Sequence, residues 1–238
     1  MRIIDPKTGK RLLNAESEAI RQLKENDPVR KIGDKDFEQI ENSPMDPPDA
    51  YSLTQPDGIT GWPEILQKFQ QEHQVALAKI ALFEVALQEF KENGYRFDQK
   101  INATFGEFFE FFDKNILVHN LKEEKLLFPL LQDRMIESGE HSQSHPPRTG
   151  VDLLEDDHMK FVQLGALTFN FLGLGTRVPD HTSRMIVFDQ AYTNGRELVE
   201  LLRLHIFREE NHIFPLSIKL VSADEFKKII EMLPNLAL

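Results

Sequence analysis

One stretch of this chain occurs twice. His119-Asn120-Leu121-Lys122-Glu123-Glu124-Lys125-Leu126-Leu127-Phe128-Pro129-Leu130 and His205-Ile206-Phe207-Arg208-Glu209-Glu210-Asn211-His212-Ile213-Phe214-Pro215-Leu216 both read His-x-x-x-Glu-Glu-x-x-x-Phe-Pro-Leu. Residues four apart share a helix face. Each copy therefore aims one imidazole and one carboxylate at a single point, His119 with Glu123 and His205 with Glu209. Neither group is comfortable in a dry core without a partner, and a metal ion satisfies both together.

The repeat reaches further back. Each copy follows another helical segment with one inward histidine, His73 in Gln71-Glu72-His73-Gln74 and His158 in Asp156-Asp157-His158-Met159. The separation of His73 from His119 differs by one residue from that of His158 and His205. If each pair forms an antiparallel hairpin with its histidines level, the turns fall near Arg96 and His181. Asn93-Gly94 lies beside the first, and Gly175 with Pro179-Asp180 beside the second; these are turn residues. The spacing predicts four histidines and two glutamates converging in an all-α, antiparallel up-down-up-down four-helix bundle. Two repeated helical hairpins build it.

Imidazole with carboxylate suits iron, and also zinc or manganese as substitutes. Zinc structural sites favour four closed ligands, often with thiolates, and this chain has no cysteine. A net charge of −11 disfavours nucleic acid as a partner. The opening residues carry no apolar signal segment, and no run approaches a membrane span. The expectation is a cytoplasmic protein with no membrane partner.

With these motifs in place, the chain resembles the hemerythrin-like, His-His-Glu cation-binding family over about residues 62–216. The resemblance implies a four-helix bundle around a non-haem di-iron centre. Carried over by position, it implies that His73 and His119 bind one iron, that His158 and His205 bind the other, and that Glu123 and Glu209 bridge them. Oxygen-carrying members have a further histidine one turn from that of the third helix. Here those positions are Leu154 and Val162, neither a ligand. The resemblance therefore implies an open position and argues against reversible oxygen carriage. It favours a protein that binds or senses oxygen, nitric oxide or iron. The alternatives are a redox enzyme, peroxidase-like or repairing iron–sulfur centres, and an interaction protein with a structural metal. The expected partner is a small molecule: oxygen, nitric oxide or peroxide.

Three segments are expected. Residues 1–61 form an extension and linker, with a hairpin around Pro6-Lys7-Thr8-Gly9, a short helix from Asn14 to Glu25 and a proline-rich linker at Ser43 to Ala50. Residues 62–216 form the bundle. Its helices are expected from Trp62-Pro63 to Asn93, from Phe105 to Leu127, from Asp152 to Leu174 and from Thr182 to Phe214. Phe128-Pro129 closes the second, and Leu77 and Leu167 belong to the inward stripes. Residues 217–238 form a helix on the bundle, opened by a Ser222/Glu225 capping box.

Other motifs carry less. Glu155-x-x-His158 and Glu209-x-x-His212 match the Glu-x-x-His pattern of ferritin-like di-iron bundles, but they lie on adjacent segments rather than alternate helices. His212 is expected at the bundle end, Glu124 and Glu210 in solvent or in outer hydrogen bonds. His141 and His145, among Ser, Gly and Pro, are expected to be solvated loop residues.

Overall fold

In the computed structural model the described residues are 61–235; the hairpin, short helix and linker expected before them lie outside that range. Among the described residues every regular element is helical. Helix α1 spans Glu64–Glu92. The second arm is one long rod of α2 (Gln99–Phe111), a π-turn π1 (Phe112–Ile116), α3 (Leu117–Lys122), π2 (Glu123–Leu127) and α4 (Phe128–Ser138). Helix α5 spans Gly150–Gly175. The fourth arm joins α6 (His181–Arg208), π3 (Glu209–Ile213) and α7 (Phe214–Leu220). Helix α8 (Ala223–Met232) and a 3-10 turn (Leu233–Asn235) end the described chain.

The arms make a four-helix bundle, with α1 packed on α2 and α6, and α5 on α6. The hairpin turns fall at Asn93 to Asp98 and Thr176 to Asp180, where the histidine spacing puts them. Gly94 has φ 73°, a conformation only glycine adopts freely. At this end the core is aromatic: Phe83 stacks on Phe108 at 3.8 Å, and Phe90 meets Phe105 and Phe188 edge-on. Each such ring buried contributes on the order of 1.5–3 kcal/mol.

The arms run further than the motifs suggest. Phe128-Pro129 does not close the second helix, which continues to Ser138, and Phe214-Pro215 is passed the same way. Proline has no N–H to give the carbonyl four residues back. The π-turn resolves this: Phe128 N–H bonds Glu123 O and Phe214 N–H bonds Glu209 O, five residues back. Each proline then falls in the first two positions of a new α segment, where its missing donor costs little.

Other boundaries shift too. The second arm begins at Gln99, capped by Asp98. The third helix begins at Gly150 rather than Asp152. Thr149 is its cap and Asp152 the returning acid of the capping box, a motif whose loss costs about 0.5–2 kcal/mol. Pro63 is itself the cap of α1. Leu77 and Leu167 lie on outer faces instead of inward stripes, 36% and 44% exposed, because the core stripes pass through Ala76 and Ile80, and through Leu164 and Thr168. Helix α8 carries the expected Ser222/Glu225 capping box and packs on α1 and π2 through buried Phe226 and Ile229.

Candidate metal centre

Four arms bring six buried polar side chains to one level of the bundle. His73 comes from α1, His119 and Glu123 from α3 and π2, His158 from α5, His205 and Glu209 from α6 and π3. All are buried, and both glutamates are fully shielded from solvent. They form two groups: His73, His119, Glu123 and Glu209, and Glu123, His158, His205 and Glu209. Within each, one potential ligand atom per residue lies within 4.8 Å of the others. Both carboxylates belong to both groups.

The contacts give the sharing its atoms. Glu123 Oε1 lies 3.2 Å from His119 Nε2, while its Oε2 lies 3.5 Å from His158 Nε2. Glu209 Oε1 lies 3.2 Å from His205 Nε2 and its Oε2 3.1 Å from His73 Nε2. Within each half the imidazoles face one another, His73 Nε2 to His119 Nε2 at 3.0 Å and His158 Nε2 to His205 Nε2 at 3.2 Å.

The outer nitrogens explain what faces inward. His73 Nδ1 donates to Glu210 at 3.0 Å, His119 Nδ1 to Glu72 at 2.6 Å and His158 Nδ1 to Glu124 at 2.8 Å. Asp157 Oδ2 lies 3.5 Å from His205 Nδ1 and accepts from Arg208 Nη1 at 2.9 Å. A proton held on Nδ1 leaves Nε2 a lone pair. The interior thus collects imidazole lone pairs and four carboxylate oxygens, and those oxygens make no hydrogen bond. Acceptors facing acceptors in a dry core need cations, so this set fits bound metal.

Metal-free electrostatics show the same strain. Burial and the neighbouring Glu209 carboxylate push Glu123 up, whereas Glu209, opposed by burial, is held well down by His205 and His73. Against burial, the carboxylates around them lift His119 to about 10 and His205 to about 9. Burial and the His205 charge push His158 down to about 3.

Two rings cover two of the imidazoles. Phe214 stacks on His73 at 5.7 Å and Phe128 on His158 at 5.7 Å. These are the phenylalanines of the repeated Phe-Pro, and the π-turns set their register. Leu154 is fully buried on the His158 face and Val162 is 51% exposed, so the inward position without a ligand belongs to Leu154.

The other motif residues stay outside the clusters. His212 sits edge-on to Phe207, 6.0 Å away, and Glu155 joins neither group. His141 and His145 are exposed in the loop between α4 and α5. The sequence reading missed Glu72 and Asp157. Their signal was a repeated acid-His pair, Glu72-His73 and Asp157-His158.

Fold and centre together define a class, helical-bundle proteins with a buried His/Glu cluster suited to metal. The hemerythrin HHE cation-binding domain model matches residues 64–217, and the chain belongs to that family. Among curated proteins, none matches the chain. No described helix is long and apolar enough to cross a membrane.

Proposed function

We propose that the chain is a non-haem di-iron protein that binds or senses oxygen, nitric oxide or iron. His73 and His119 would hold one iron, His158 and His205 the other, with Glu123 and Glu209 shared. One observation carries this: two four-residue groups have both carboxylates in common. Iron there would supply binding of small diatomic ligands and electron exchange with them.

The chain's own residues do the rest. Glu72, Glu124 and Glu210 keep the Nδ1 protons in place and so present Nε2 inward. Phe214 and Phe128 cover one face each of the His73 and His158 rings. Buried Leu154, at the inward position one turn from His158, leaves that half short of a ligand, which favours a reactive or sensing centre over a carrier. Oxygen, nitric oxide or peroxide is the corresponding small-molecule partner.

The test is metal analysis of protein loaded anaerobically. About two irons per chain are expected, since six ligands are shared between two positions. One tightly held zinc with no iron uptake overturns the di-iron reading. Nitric oxide titration of the ferrous protein, followed by spectroscopy, then separates a binding centre from a structural metal, which would not respond.

A further inference from the structure

The internal repeat lets one half of the site serve as a control for the other, and they differ on one side. Three residues beyond its helical histidine, the second half has Phe161, packed edge-on to His205 at 4.9 Å. The first half has Ala76 at that position. One turn before His119 the second arm contains π1, whereas the equivalent part of α6 before His205 is regular helix. Where a small side chain meets a widened turn, a cavity of about 330 Å³ opens between α1 and π1.

Its walls are Ala76, Ile80, Phe161 and Leu202, and its inner end reaches His73, His119 and also His205. The volume exceeds what a diatomic ligand requires. It falls within the usual range for organic-ligand sites, which join apolar walls to a few polar groups. Lys68, Lys114 and Lys122 also line it, against the single carboxylate of Glu72, in a chain of net charge −11. Lys68 pairs with Glu64 and Lys114 with Glu110, both exposed pairs one helical turn apart. Such pairs are weak and exchange readily.

We propose that this cavity binds a small organic carboxylate, its apolar tail between Ala76 and Leu202 and its head at one of the two rim lysines, Lys68 or Lys114. This deepens the di-iron reading by giving the centre an organic ligand beside the His73/His119 position. The binding itself does not require the metal.

The probe is hexanoate, with hexanol as the neutral comparison, followed by ligand-observed NMR on the full chain, metal-free and iron-loaded. Hexanoate is expected to bind both forms. Ala76→Phe, which copies the second half, should weaken it about tenfold or more by filling the apolar volume, with iron content unchanged. Ala76→Leu is the milder filling variant should the phenylalanine disturb folding. Lys68→Gln with Lys114→Gln should weaken hexanoate and leave hexanol unchanged. No hexanoate binding to wild type overturns the inference, as does equal binding by both filling variants or equal loss of hexanol in the lysine variant. Binding confined to the iron-loaded form and indifferent to Ala76 means coordination alone and also overturns it. Iron content is read separately, so failure of the di-iron reading is distinguishable.

Discussion

The two halves of the centre use the same plan with different materials. In the first, Glu72 precedes His73, accepts from His119 of the other arm and also binds Lys122 at 2.6 Å. In the second, Asp157 precedes His158, approaches His205 and binds Arg208. Lys122 and Arg208 each stand immediately before a glutamate common to the two groups. Glu72 is long enough to serve imidazole and lysine with separate oxygens. Asp157, one methylene shorter, turns the same oxygen to both and reaches the imidazole less closely. Side-chain exposure differs accordingly, 38% for Glu72 but 7% for Asp157 and 9% for Arg208. The same network is thus half-solvated at Glu72 and dry at Asp157 and Arg208. The repeat preserves the geometry of the buried histidines and glutamates while the solvation of their outer partners diverges.

The largest test breaks what the halves have in common. Glu123→Ala and Glu209→Ala should each remove both metals, because each carboxylate touches imidazoles of both halves. His73→Ala should empty mainly its own half. Metal analysis after dialysis reads this directly. Retention of full metal content by Glu123→Ala would remove that residue from the bridging role.

Next in size is the outer pair, where the halves should part company. Asp157→Ala strands a buried Arg208 charge and should cost about 3–5 kcal/mol. Glu72→Ala leaves Lys122 able to reach water and should cost about 1 kcal/mol or less. Urea unfolding of the metal-free variants measures both. Asp157→Leu with Arg208→Met should recover most of the loss, since an apolar pair of similar volume replaces a buried ion pair well. Equal costs at Glu72 and Asp157 would show that solvation does not distinguish the halves.

How much of this could be read in advance follows from which interactions are local. His119 with Glu123 and His205 with Glu209 are one turn apart, so helical periodicity alone places each pair on one face. Hairpin symmetry then brings His73 and His158 to the same level. The π-turns were hidden because their cue, a proline at a fixed offset from each glutamate, also reads as a helix end. Backbone bonding five residues apart decides between the two readings. Glu72 and Asp157 were missed because their partners lie on the other arm of each hairpin, a register that only the packed structure defines. The cavity depends on comparing Ala76 with Phe161, side chains of different volume at one position of the repeat.

A smaller effect is expected at the position without a ligand. Leu154→His puts an imidazole on the buried face of α5 and should alter the spectrum of the iron-loaded protein. Val162→His lies on the exposed face and should leave spectrum and iron content unchanged, with stability within about 0.5 kcal/mol of wild type. A spectral change from Val162→His alone would reverse the assignment of the inward face.

The smallest effect is a pH dependence confined to the solvated half. Burial opposes ionisation of Glu72, but its bonds to His119 and Lys122 prevail and hold it down at about 2, from an ordinary 4.5. A carboxyl depressed by folding contributes stability above its unfolded value and loses it as pH falls through the folded one. The metal-free protein should therefore exceed Glu72→Gln in stability above pH 4.5, with the difference shrinking between pH 4.5 and 2. Because the side chain is 38% exposed, solvent screening limits the difference to about 1 kcal/mol or less. Paired urea titrations across the window isolate Glu72 from the other carboxylates, whose protonation is common to both proteins. A constant difference down to pH 2 would mean that Glu72 supports His119 by packing alone and that its charge contributes nothing to the half it borders.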